Sequence, residues 1–365
     1  MNIQLKKRSP SELLRDGYIK PELSDSSKAK QVDAYLKQER DTYEKLQNEP
    51  KILILGPSDA GKSTFLKQLK IIHGSGFTDE ERAQVKQNSI TQVLNAVERV
   101  LENMPESKRA DYNSIIQYIE LVSGPYDCLP LNIINKLAIL WEDPLVKQKF
   151  QDMRDVIPES TSYFLTHIKR IGFSDSILTN EDVLMQRTVT QTISETTFIS
   201  NGKKFHFYDV SGLKHHRKHW LPYFQEALLI IFLVDISAYD QMMAENPEMN
   251  RMVDALHLFD EIVNHPLLKK AAINLFFNKK DIFRNKVTTV PIVNYFPDFD
   301  GEAQSAKAGG KYFQEKFIAL RKEKGEFLTV HFTCCTDSTL ISKVTTNLIV
   351  SLTKRDMDQR GFEFV

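Results

Sequence analysis

The chain has 365 residues, 41% of them hydrophobic, enough to bury one large core or two modest ones. Its 48 basic and 48 acidic side chains cancel, so no net field draws it toward nucleic acid. Cys128, Cys334 and Cys335 are too few to form a disulfide framework and point to reduced thiols in the cytosol; no apolar run reaches membrane-span length, and the polar start MNIQLKKRSP is not a signal peptide.

Residues 1–24 are polar and carry Pro10, Gly17 and Pro21, a composition that predicts a poorly ordered tail. Residues 25–49 are charged and contain almost only good helix formers, which predicts a solvated helix. KILILG then reads as a short buried strand, and GKSTFLKQLKIIH as a helix after it. From 74 to 180 the apolar residues recur at three- and four-residue spacing, as in VLNAVERVLENM and IINKLAILWEDPLVKQKF. Almost no strand pattern interrupts them, so an all-helical insertion is expected. ETTFIS and KKFHFYDV alternate around Asn201 and Gly202, a hairpin signature. LLIIFLVDIS, AAINLFFNKKD and EFLTVHFTCCT are further strands. They are separated by helical patterns in MNRMVDALHLFDEIVNH and GGKYFQEKFIALRKEK, and a last helix starts at Ser338. Alternating strands and helices predict a doubly wound, mostly parallel sheet covered on both faces.

The segment GPSDAGKS, Gly56 to Ser63, matches G-x-x-x-x-G-K-S/T and lies between a strand and a helix. Backbone N–H groups of such a loop cradle phosphates. Lys62 reaches the terminal phosphates and the Ser63 hydroxyl ligates Mg²⁺, with Asp59, Ala60, Gly61 and Thr64 beside them. Downstream, AAINLFF ends in Asn278, Lys279, Lys280 and Asp281, the N-K-x-D pattern. A carboxylate there accepts from guanine N1–H and the exocyclic amine together, a donor pair that adenine lacks. Cys335 follows the next strand, where its backbone is placed to meet the guanine carbonyl; a vicinal redox pair with Cys334 is the rival reading.

KILILG, GKSTFLKQLKIIH, DVLMQR, FHFYDVSG, EMNRM, LFFNKKD and HFTCCTD stand in the order and spacing of heterotrimeric G-protein α subunits, and the chain resembles that family over most of its length. The resemblance implies a P-loop, Ras-like GTPase domain of residues 50–73 and 181–365, interrupted by a helical domain of residues 74–180. It further implies that Asp182 to Arg187 form the first switch, with Leu184, Met185, Gln186 and Arg187 at the nucleotide and Arg187 as the arginine finger. Thr190 and Ser63 would ligate Mg²⁺, Asp209 would hold it through water, and the Gly212 N–H would meet the γ-phosphate. Glu159 and Ser160 resemble the pair by which the helical domain faces the nucleotide. GTP and GDP are the implied ligands; a βγ dimer, a seven-helix receptor and an effector are the implied partners. Asn2 offers no myristoylation site, so the resemblance places the protein in the cytoplasm, or at the inner face of the plasma membrane through its partners and the basic Lys6, Lys7 and Arg8.

The departures are local. Leu213 stands where the family carries the glutamine that orients the attacking water. Ser58 and Ser211 replace glycines, and Asp59 replaces a glutamate while keeping the charge to pair with Arg187. The run from Lys214 to His219 also differs. His215, His216 and His219 suggest a metal cluster, but no nearby carboxylate or cysteine completes it. Two functional readings stand at this point: a GTPase whose turnover is very slow, and a GTP-loaded scaffold that does not hydrolyse.

Overall fold

A computed structural model of the chain describes residues 33, 37, 49–122, 124–153, 156–187, 193–200, 202–212, 216–217, 220–243, 246–322 and 328–359. The tail of 1–24, nearly all of the 25–49 helix, and Thr190, Asn201, Leu213, Lys214, His215, His219 and the last six residues lie outside them. Residues Lys51–Val365 form one compact unit, which carries the sheet.

Strands β1 (Lys51–Leu55), β2 (Ser194–Ser200), β3 (Lys203–Asp209), β4 (Ala227–Asp235), β5 (Ala272–Asn278) and β6 (Leu328–Phe332) make a sheet with the order β2-β3-β1-β4-β5-β6. All neighbours are parallel except β2 and β3, which pair antiparallel from Ser194 with Asp209 to Ser200 with Lys203. That last pair leaves two residues for the turn, and Gly202 sits at φ +72°, where a side chain is disfavoured.

Both faces of the central strands are buried, which is why they read as unbroken apolar runs. Along β4, Leu229, Ile231 and Leu233 face one core and Ile230, Phe232 and Val234 the other. Helices α1 (Lys62–His73) and α11 (Ser338–Gln359) cover the first face with Phe65, Leu69, Ile341 and Leu348. Helices α8 (Arg251–Val263), α9 (Lys280–Lys286) and α10 (Ala306–Ala319) cover the second with Phe259, Ile262, Phe283, Phe313 and Phe317.

Between α1 and β2 the described chain is helical. It contains α2 (Asp79–Glu102), α3 (Asn113–Leu121), α4 (Leu131–Glu142), α5 (Pro144–Asp152), α6 (Ser160–Thr166) and α7 (Asn180–Met185), joined by shorter turns. These helices bury their own cluster, centred on Val93, Val97, Ile134, Leu137 and Phe164. Thr78 starts α2 with a reciprocal capping box to Glu81, and Thr179 starts α7 with one to Asp182.

Two stretches differ from the sequence pattern. IINKLAILWEDPLVKQKF keeps helical spacing throughout, yet it is two helices. Asp143 is extended, its carboxylate accepts from the Leu145 N–H at 2.8 Å, and Pro144 begins the second helix, where its missing N–H costs nothing. The MNRM segment does not open α8 at Met249. Asn246–Asn250 pairs with Met242–Met243 as a short ribbon, and Asn250 then caps the helix by accepting from the Met252 and Val253 N–H groups.

Candidate functional site

The loop from β1 to α1 turns on three unusual backbone conformations. Gly56 has φ +141° and Gly61 φ +97°, and a side chain at the first would collide with the Leu233 carbonyl and at the second with the Asn278 amide. Asp59 holds φ +60° although it is not glycine. Helix α1 begins at Lys62 with no side chain capping its N–H groups and no acid in its first turn, which leaves that end suited to an anion.

Lys62 is buried and donates from Nζ to the carbonyls of Gly56 at 2.9 Å and Pro57 at 2.7 Å. Burial lowers its ammonium pKa to about 8, against the opposite pull of Asp209 and Asp59. Beside it the Ser63 hydroxyl donates to Asp209 Oδ2 at 3.0 Å, so two oxygen groups from α1 and β3 stand together. Hard oxygen donors of this kind suit Mg²⁺. Gly212 packs so closely that an added Cβ would come within 2.6 Å of the Pro57 carbonyl oxygen.

The loop of Asn278 to Asp281 is tied to the loop of Gly56 to Ser63. Asn278, at the end of β5, donates through Nδ2 to the Ala60 carbonyl at 2.9 Å and accepts through Oδ1 from the Cys335 N–H at 2.9 Å. The Cys335 backbone, expected to face a guanine carbonyl, is thus engaged by Asn278. Asp281 is exposed on the first turn of α9. Burial pushes the Cys335 thiol far up, and burial and Asp281 raise Cys334, so neither has the thiolate character of a redox pair. Both cysteines are free thiols.

Arg187 follows α7 and is exposed; its Nη2 lies 2.8 Å from Asp59 Oδ2, so the shorter acid still reaches the arginine. Leu184 and Gln186 are buried and Met185 half-buried in the turn before it. Glu159 is exposed at the start of α6, near enough for its charge to act on Lys279, and Ser160 Oγ accepts from Gln92 of α2 at 3.0 Å. Among the described residues no group of three His, Cys, Asp or Glu is placed to hold a metal, and His216 instead meets Ser211 Oγ at 2.9 Å.

Several site residues escaped the sequence reading. Asp235, at the end of β4, is buried between Lys279 at 2.8 Å and Arg251 at 3.8 Å. Burial alone would raise its pKa, but Lys279 and Arg251 outweigh that and hold it below the usual carboxylate range. Arg251 also donates to the Ser58 carbonyl at 3.2 Å, so Asp235 couples both loops. A charge ending the run ALLIIFLV was the available signal. Lys67 donates to the carbonyls of Val183 at 3.0 Å and Gln186 at 2.7 Å, and Ser89 of α2 donates to Gln186 Oε1 at 2.7 Å. These contacts hold the turn before Arg187, and no motif announces them.

A glycine loop between β1 and α1, a carboxylate at the end of β3 and an Asn–Asp loop after β5, on this strand order, define a phosphate-loop fold of the GTPase type. The G-protein alpha subunit family matches residues 26–351. A "Guanine nucleotide-binding protein subunit alpha" of Emericella nidulans is 37% identical over 302 residues, 81% of this chain and 85% of its own. The "G-protein complex alpha subunit gpaA" of Aspergillus fumigatus is 37% identical with the same coverage, and the "Guanine nucleotide-binding protein alpha-1 subunit" of Neurospora crassa 36%. The chain belongs to the G-protein alpha subunit family, whose members are guanine nucleotide-binding signal transducers with GTPase activity.

Proposed function

We propose that this chain binds GTP and GDP with Mg²⁺ and hydrolyses GTP very slowly, so that it persists in its GTP-loaded state. The observation that carries the nucleotide assignment is the Asn278 bridge, which joins the loop bearing Asp281 to the loop bearing Lys62. One rigid seat thereby presents a guanine-selective carboxylate and a phosphate-binding ammonium.

In this reading the N-terminus of α1 and Lys62 hold the phosphates, and the Gly212 N–H meets the terminal one. Ser63, Thr190 and, through water, Asp209 would hold Mg²⁺, which would neutralise charge on the phosphate oxygens. Arg187, steadied by Asp59, Gln186 and Lys67, would turn to the charge that builds during transfer. The attacking water needs a group to align it, and Leu213 has neither donor nor acceptor. Chemistry is therefore slow while binding is intact. Family membership supports a βγ dimer, a receptor and an effector as partners.

Competition binding tests the assignment. GTP and GDP should displace labelled GDP and ATP should not, and Asp281→Asn should turn the preference toward xanthine nucleotides. Equal competition by ATP would defeat the reading.

A further inference from the structure

Ser211, the residue before Gly212, is fastened at two atoms. Ser211 is buried; its hydroxyl meets His216 Nδ1 at 2.9 Å, and its carbonyl accepts from the Trp220 indole N–H at 3.1 Å. The Ser211 carbonyl and the Gly212 N–H belong to one planar trans peptide and point in opposite directions. Holding the carbonyl on Trp220 therefore fixes where the Gly212 N–H points. Gly212 itself is pressed against Lys62 and Pro57, so its peptide lies on the rim of the phosphate cradle.

We propose that His216 and Trp220 are positioning residues for the terminal phosphate: by clasping Ser211 they aim the Gly212 N–H at the cradle before nucleotide arrives. The inference rests on the nucleotide reading above. A glycine at 211 keeps the Trp220 contact to its carbonyl but has no hydroxyl for His216, so its peptide is held at one atom instead of two and more of its ordering falls at the moment of binding, at a cost to affinity. With the clasp in place GTP meets a donor already aimed, whereas GDP, lacking the third phosphate, gains nothing from it. The clasp is thus a specificity device for GTP over GDP, and it acts on binding, independently of how fast hydrolysis runs.

The test is the affinity of the full chain for GTPγS and for GDP, by calorimetry, in the wild type, Ser211→Gly, His216→Ala and the double variant. Each single variant should lower the GTPγS-over-GDP preference about fivefold, the size of one net hydrogen bond. The double variant should fall no further, because both changes break one contact. His216→Asn, which keeps a side-chain nitrogen at short reach, should recover part of the preference. A loss shared equally by GDP and GTPγS, additive losses, or an unchanged ratio in Ser211→Gly would overturn the inference. Ser211→Gly decides even where His216→Ala fails to fold, since it removes only the hydroxymethyl group. Failure of the wild type to bind either nucleotide would overturn the proposed function and this inference together; binding with an unchanged ratio overturns the inference alone.

Discussion

Asn278 Nδ2 donates to the Ala60 carbonyl at 2.9 Å across 218 residues of sequence, and the same side chain accepts from the Cys335 N–H. One buried amide therefore satisfies main-chain groups of two loops. Asn278→Ala should lower stability by about 2 kcal/mol, because it leaves a buried carbonyl and a buried N–H without partners. Asn278→Asp should be worse, since a carboxylate oxygen would face the Ala60 oxygen. Urea unfolding at fixed GDP concentration measures both, and an unchanged midpoint for the alanine variant would refute the account.

Two glycines with positive φ should respond differently to alanine. Gly202→Ala meets nothing within 4 Å and should cost only the left-handed backbone penalty, about 1 kcal/mol. Gly56→Ala adds a collision with the Leu233 carbonyl, a main-chain atom of a central strand that cannot swing away. It should both destabilise the chain and abolish tight GDP binding. Equal unfolding midpoints for the two variants would contradict this.

Asp182 is fully buried and accepts from Arg170 at 2.8 and 2.7 Å, from the Tyr163 hydroxyl at 2.9 Å and from Thr179. Burial would raise its pKa, but Arg170, Thr179 and Tyr163 outweigh it and bring it to about 2. The folded value lies below the unfolded one, so this contribution is complete above the ordinary 3.8 and fades as pH falls toward 2. Asp182→Asn should cost about 3 kcal/mol near neutral pH, where it leaves Arg170 facing an amide. The gap between variant and wild type should narrow as pH is lowered from about 5 to about 3. A gap that stays constant would mean that the charge is not what matters.

Single-turnover hydrolysis of preloaded GTP checks the slow-turnover proposal. The wild type should be on the order of a hundredfold slower than a family member with the glutamine. Leu213→Gln alone should recover little if, as proposed, Ser58 adds a side chain where the glutamine needs room, whereas Leu213→Gln with Ser58→Gly should recover much more. Full rescue by Leu213→Gln alone would show that Ser58 is harmless.

The phosphate loop was legible because its chemistry fixes residue type at fixed spacing: Gly56 and Gly61 must adopt positive φ, and Lys62 must follow them. The sheet was legible because strands buried on both faces, such as ALLIIFLVD, cannot be mistaken for amphipathic ones. The break between α4 and α5 was written in Asp143 and Pro144, a cap followed by an N-terminal proline, but the apolar period ran across it. Lys67, Ser89 and Asp235 were not legible as site residues. Each acts on a partner far away in sequence, and a lysine in an amphipathic helix looks the same whether it meets water or two carbonyls.

Lys67 grips two main-chain oxygens, those of Val183 and Gln186. Every amino acid supplies a carbonyl, so this grip on the turn before Arg187 is indifferent to which side chains the turn carries. Selection can rewrite residues 183 to 186 while the arginine's mooring stays in place. Gln186 adds a side-chain tie of its own to that main-chain grip, accepting from Ser89 through Oε1.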